Sequence, residues 1–475
     1  MVATKQPTTT EDPAYMHRKN KCTQTQQNRM AHRANQTNSY DFFNLLTSNP
    51  LLDVVESQLP PHRERLYPPT LTLSMFLAQA MNSDASCQRV VNDNSIKRVL
   101  GGLSSCGVSN GGYCKARQRL PLSMVSTVAQ KTGEMIAAQT PAHWQWRGHS
   151  VKLVDGTTLS MPDTAENQAI YPQQRRQKPG LGFPIARVVG VLCYSSAALL
   201  NAAIGPYKGK GGSENALFRQ LLDTFKPGDL ILADRYYCSY FLIALLMERG
   251  VDVLFQQNAL RKTDFRKGKR LGPGDHLAQW IKPVKKPTWM AQDQYDDLPE
   301  YFNIREVKAK KKVLVTTLTS TKQAPKKALA ELYLQRWHVE LDLRNIKTTL
   351  GMDILSCKTP EMVEKEMWVY FLAYNLIRLV MAEAALQADL LPRQLSFKHS
   401  LQIWVIWNQQ QYLTNNVEDT PTLLVLIAAL TVGNRPGRIE PRALKRRNKS
   451  YPLLTKPRNI AREEIMRDGH PKKLK

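Results

Sequence analysis

Three acidic residues have the types and settings from which an α/β enzyme could build a reaction centre. Asp155 closes a β-prone run in VKLVDGTT, Asp234 closes another in DLILADRYY, and Glu340 lies in the helical stretch YLQRWHVELDLRNIK. Sites in open α/β sheets form beyond the carboxyl ends of strands. Two strand-end aspartates facing a glutamate from a helix laid across the sheet can therefore make one cluster. Such a cluster suits hard divalent cations, Mg²⁺ or in its place Mn²⁺, which bind carboxylate oxygen and water. Two such ions about 4 Å apart would activate an attacking oxygen and stabilise a leaving one in an in-line displacement at phosphorus. Taken singly each aspartate says little, because Asp163, Asp229 and Asp252 lie nearby.

The helical stretch carries more. At about 100° per residue and with Tyr333 as origin, Arg336, Glu340 and Lys347 fall at about −60°, −20° and −40°, and Arg344 at about +20°. One narrow face thus joins a metal-ligand type to a phenol and to cations that grip phosphate. The same face also fits an ordinary i,i+4 Arg336–Glu340 ion pair on a solvated surface. His338 lies at about 140° and points away. Arg235, next to Asp234, is a candidate phosphate contact or a structural ion-pair partner. The loop RRQKPGLGFP (Arg175–Pro184) has the composition of a basic loop facing a polyanion and equally of a solvated one. GKGGS at Gly209–Ser213 lacks the full phosphate-loop pattern, so no nucleotide site is expected there.

The spacing Tyr333-(2)-Arg336-(3)-Glu340-(6)-Lys347, with Asp155 in DGTTL and Asp234 in LADRYY, resembles the YREK signature of the DDE transposases of insertion sequence family four, whose wider group includes the transposase of transposon five. The resemblance runs from about Tyr40 to Arg458 and takes in the basic run GRIEPRALKRR. It implies an RNase H-like mixed α/β core with a β-rich insertion between the second aspartate and the glutamate, which are 106 residues apart here. It implies that Asp155, Asp234 and Glu340 hold two Mg²⁺ ions. Tyr333, Arg336 and Lys347 would contact DNA phosphates, with Arg344 and Arg235 as further DNA-binding candidates. The activity implied is cleavage at terminal inverted repeats of double-stranded DNA and strand transfer into target DNA, by a homodimer in the DNA complex. Some relatives stack a flipped base on a tryptophan of the insertion, and Trp280 and Trp289 are the candidates; for each, a place in the core is the alternative.

The elements that must position these residues can be read along the chain. Residues 1–40 are a polar arm, and 41–145 are a helical region with a basic face, expected to bind DNA. Strands and helices alternate over 146–257 and resume over 313–358, the expected catalytic core. Residues 258–312, rich in Lys, Arg, Gly and Pro, are the expected insertion. One long helix is predicted from about Pro325 to Leu350, and 359–475 hold further helices, expected to dimerise, and a basic tail. Lys and Arg total 66 against 40 Asp and Glu, a net charge of +26, which points to nucleic acid as partner. The seven cysteines form no C-x-x-C pair and read as reduced thiols. No run approaches the roughly 20 apolar residues of a membrane span. No secretory signal is visible, so a place in the prokaryotic cytoplasm near the nucleoid is expected, with no membrane partner. A non-catalytic DNA-binding homologue, another RNase H-like nuclease and a basic architectural protein are the alternatives.

Overall fold

Among the described residues four α-helices precede the sheet: α1 (Pro69–Met81), α2 (Cys87–Leu100), α3 (Gly111–Arg119) and α4 (Leu122–Ala138). The computed structural model describes residues 66–175, 177–209, 211–414, 420–432 and 456–469. The expected polar arm, the start of the helical region and the GRIEPRALKRR run lie outside these. Pro69 opens α1 at N1, where its missing N–H costs nothing. Ser86 caps α2, its hydroxyl accepting from Arg89 N at 3.1 Å. The basic segment Gly111–Arg119 is helical, but not all of its cations face out. Arg117 is buried, its guanidinium 4.6 Å from the Phe76 ring centroid and 3.2 Å from Gln79 Oε1.

The remaining elements are β1 (Ser150–Ser160), α5 (Ala165–Ile170), β2 (Ile185–Cys193), β3 (Leu199–Pro206), α6 (Glu214–Arg219), β4 (Asp229–Ala233), α7 (Tyr240–Glu248) and β5 (Asp252–Gln256). There follow β6 (Lys269–Gly272), β7 (Asp275–Ile281), α8 (Gln292–Asp297), β8 (Tyr301–Ala309) and β9 (Lys312–Thr316). Then come α9 (Lys326–Leu334), α10 (Trp337–Arg344), α11 (Pro360–Gln387), α12 (Phe397–Thr414), α13 (Thr420–Ala428) and α14 (Arg458–Asp468). One nine-stranded sheet runs in the order β3-β2-β1-β4-β5-β9-β8-β7-β6. β1 pairs antiparallel with β2, and β2 with β3. β4 lies parallel to β1, and β5 parallel to β4. This is a mixed α/β sheet, as the resemblance implies. Residues 258–312, irregular by composition, contain β6, β7 and β8, and these strands extend the same sheet through β9. Composition hid β6 and β7 because strands at the margin of an antiparallel sheet need only one apolar face, and both remain largely exposed or half-buried.

The sheet has helices on both faces, and the strand period of two divides its side chains between them. Leu153, Leu159, Leu230 and Leu232 pack with α4, α10 and α11, while Val154, Ile231 and Ala233 pack with α6 and α7. α11 is long and apolar enough by composition to cross a membrane, but it is the core helix of this fold, buried along most of its 28 residues. The central layer tolerates no side chain at Gly133 of α4, where a Cβ would sit 2.0 Å from Leu199 O on β3. Asn375 of α11 completes this contact. Its Nδ2 donates to Ala129 O at 2.9 Å and to Leu199 O at 2.8 Å, and its Oδ1 accepts from Leu199 N at 2.8 Å.

Candidate active site

The parallel register of β1 and β4 places the two aspartates. Val151 stands opposite Leu230 and Leu153 opposite Leu232, so counting on by two brings Asp155 level with Asp234. Both alternate onto the face of Leu153 and Leu232, where α10 packs. Asp234 follows the last residue of β4, as the sequence predicts. Asp155 does not end its strand: β1 continues to Ser160, because Gly156–Ser160 stay paired with β2. The carboxylate is exposed to chemistry because β4 stops beside it. Asp155 Oδ1 accepts from Gly156 N at 2.8 Å and Asp234 Oδ1 from Tyr236 N at 2.7 Å.

The single long helix expected from Pro325 to Leu350 is three segments. α9 ends at Leu334, and Arg336 N, His338 N and Val339 N each bond three residues back, to Tyr333 O, Gln335 O and Arg336 O. Such tight turns have three residues per turn and bring i and i+3 into line. A π turn, Asn345–Thr349, follows α10. A uniform 100° step therefore fails here. The juxtaposition of Arg336 and Glu340 survives it: Arg336 Nη2 lies 2.9 Å from Glu340 Oε1 and Nη1 3.6 Å from Asp155 Oδ2. The ordinary ion pair is thus present, and its cation also links the glutamate to the first aspartate. His338 faces elsewhere, 2.7 Å from Gln335 Oε1 and beside the Tyr194 ring, and burial pushes its pKa down to about 4.

Among the described residues no three His, Cys, Asp or Glu side chains are drawn together tightly enough to hold a metal ion. The donor chemistry nevertheless fits one. Burial pushes the Asp155 carboxyl up to about 6, and the backbone N–H of Gly156 and the guanidinium of Arg336 only partly offset this. Asp234 and Glu214 add repulsion. Hard oxygen donors crowded in this way are stabilised by a divalent cation.

The signature cations divide by exposure. Lys347 reaches back to β1, its Nζ 3.1 Å from Thr157 Oγ1 and 2.8 Å from Thr158 O. Arg235 and Arg344 are exposed. Tyr333 is buried at 5% exposure, with Lys312 Nζ 5.6 Å from its ring centroid, and burial pushes its hydroxyl up to about 12. The two tryptophans also separate. Trp280 is buried, its Nε1 donating to Glu306 Oε1 at 2.8 Å, whereas Trp289 is 40% exposed beneath the Arg219 guanidinium at 4.0 Å. Trp280 is therefore spent in packing, and Trp289 alone of the pair offers a ring face. Glu214 and Tyr237, both near the aspartates, were missed from the sequence. Glu214 follows the N-cap Ser213 and reads as a first-turn acid, a common helix feature.

Residues 146–376 match the family model described as the transposase DDE domain. The transposase InsG for insertion sequence element IS4, of Escherichia coli (strain K12), is 29% identical over 413 residues, 85% of this chain and 91% of InsG. InsZ of the same organism is 27% identical over 144 residues, 30% of this chain and 47% of InsZ. A solved piggyBac transposase, in a synaptic complex with hairpin DNA, matches 85% of this chain and 87% of its own at 10% identity and a TM-score of 0.41. DDE transposases act on DNA and use divalent metal ions. The matched domain spans both aspartates and the Arg336–Glu340 segment, and the chain resembles InsG along nearly its whole length, so residues 146–376 form a transposase DDE domain, the domain of enzymes that cleave DNA and transfer its strands.

Proposed function

We propose that this transposase excises an insertion sequence by cutting at its terminal inverted repeats and inserts it into target DNA at one metal site. Asp155 and Asp234 level on adjacent parallel strands, with Glu340 tied to Asp155 through Arg336, are the observation that supports this reading. In it, Asp155, Asp234 and Glu340 hold two Mg²⁺ ions, with Mn²⁺ able to replace them. The ions supply an activated attacking oxygen and charge stabilisation for the leaving one. Arg336 holds the Glu340 carboxylate in place until metal arrives. Lys347 fastens its segment to β1. Arg235, Arg344 and Lys347 contact the DNA backbone, and Tyr333, buried beside Arg336, positions that guanidinium.

The regions before and after the core support a division of labour. The helices within 41–145 bind the repeats, the 258–312 insertion brings Trp289 to the helix that carries Glu214, and 359–475 joins two copies on the paired ends. α11 is taken up by the core, so the dimer surface falls to later helices, where Ile406, Val425 and Leu426 are exposed. The deciding experiment is cleavage of the element's own terminal-repeat DNA with Mg²⁺, native protein against Glu340→Ala. Cutting lost in the variant with repeat binding retained supports the reading. Equal cutting by both removes Glu340 from the site.

A further inference from the structure

Glu214 opens α6, on the face of the sheet opposite α10. Its carboxyl rests against β1 at Gly156, the residue after Asp155. A Cβ added to Gly156 would lie 2.7 Å from Glu214 Cδ and 2.9 Å from Oε1. Only glycine lets the carboxyl come this close to the strand. Glu340 thus approaches the aspartates from one face and Glu214 from the other. Behind them lies Tyr237, three residues after Asp234, at 0% exposure. Its hydroxyl has no hydrogen-bond partner, and the carboxylates of Glu214, Asp155 and Asp234 add to the burial that pushes its pKa up. A buried hydroxyl left unpaired costs about 1–3 kcal/mol, so an unpaired one behind this group of acids marks a site that a further group completes. Arg187 does not cancel Glu214: its Nε is 3.9 Å away, while its Nη1 donates to Gly212 O at 2.6 Å and its guanidinium lies 4.6 Å from the Tyr207 ring centroid.

We propose that Glu214 is a fourth carboxylate of the divalent-metal site built on Asp155 and Asp234, with the Tyr237 hydroxyl donating to an oxygen of the filled site. The proposal rests on the reading of the two aspartates as metal-binding and adds to it a residue outside the signature. The ligand class is an oxygen-preferring divalent cation, and the probe is Mn²⁺ alone, titrated into the full-length chain without DNA and followed by the electron-spin signal of the free ion.

Glu214→Gln keeps the shape and removes the charge. Its Mn²⁺ affinity is expected to fall about 10-fold or more, the scale seen when supporting groups of metal sites are removed, with the metal-free thermal midpoint little changed. Tyr237→Phe is expected to lower it as well, and carries the test should Glu214→Gln fail to fold. If the Glu214 variant, or failing it the Tyr237 variant, binds Mn²⁺ like the native chain while Asp155→Asn and Asp234→Asn lose it, Glu214 serves only Arg187 and the proposal is overturned. If the two aspartate variants also bind Mn²⁺ undiminished, the underlying site reading fails first, and this inference with it.

Discussion

Asp342 lies two residues beyond Glu340 on α10 and is 1% exposed. Its Oδ1 accepts from Arg378 Nη2 at 2.9 Å and Arg393 Nη1 at 3.2 Å, and its Oδ2 from Arg393 Nη2 at 2.9 Å. Arg378 comes from α11, and Arg393 also donates to the backbone carbonyls of Cys193 and Tyr194 at the end of β2. One carboxylate therefore ties the helix bearing Glu340 to the core helix and to the sheet. Asp342→Ala would leave two buried guanidinium groups without their counter-charge. Breaking one side of such a buried pair costs about 3–5 kcal/mol. The lower half of that range applies, because Arg378 keeps the Tyr374 hydroxyl at 2.9 Å and Arg393 keeps its carbonyls. With about 2.1 cal/mol/K of unfolding entropy per residue over a unit of about 400 residues, the loss lowers the thermal midpoint by about 4–5 °C. Asp342→Asn retains one acceptor and should lose roughly half as much. Thermal unfolding reads the stability, and strand cleavage well below the midpoint reads the effect on Glu340, with cleavage expected to fall while DNA binding holds. A loss under about 1 kcal/mol for Asp342→Ala would refute the reasoning, since it would mean that water already solvates these guanidinium groups.

Other outcomes follow from the same contacts. The raised pKa of Asp155 means that between about pH 4 and 6 the folded, metal-free chain binds more protons there than the unfolded one, so stability falls as pH rises through that window. Asp155→Asn should then be more stable than the native chain in chelator at pH 7.5, by at most about 3 kcal/mol, with the difference vanishing below about pH 4; equal midpoints at pH 7.5 would contradict the burial of this carboxyl. Gly133→Ala drives a methyl into the Leu199 carbonyl and should cost at least about 1–3 kcal/mol in chemical denaturation; a neutral or stabilising effect would show that α4 can lift off β3 freely. The net charge of +26 predicts that affinity for duplex DNA falls by about 10³ or more between 50 and 200 mM salt in a binding titration, and a fall of less than about tenfold would argue against extensive phosphate contact.

Much of the candidate site is legible in the sequence because its placement rules are local. A buried strand that ends in an acid, as LILAD does, delivers that acid to the sheet edge in any α/β fold, and the spacing of Arg336 and Glu340 makes them helix neighbours before any tertiary contact forms. The β2–β3 hairpin, the Ser213 cap and the positive-φ Gly250 (φ +67°) after α7 are local in the same sense. What only the tertiary structure decided depends on groups far apart in the chain. The break after Leu334 and the π turn after Arg344 undo a periodicity that looked continuous. β6, β7 and β8 pair in series onto β9 and so extend the sheet to its β6 edge, a pairing that composition alone does not report. Trp280 and Trp289 differ only in what folds over them. Asp342 looks like one more helix acid until Arg378 and Arg393 close on it from 36 and 51 residues away. Glu214 stands beside the aspartates only because Gly156 has no side chain to keep it off. Sequence periodicity reports which face of an element is apolar, whereas which charged group meets which across the core is set by the packing of elements that the chain brings together only on folding.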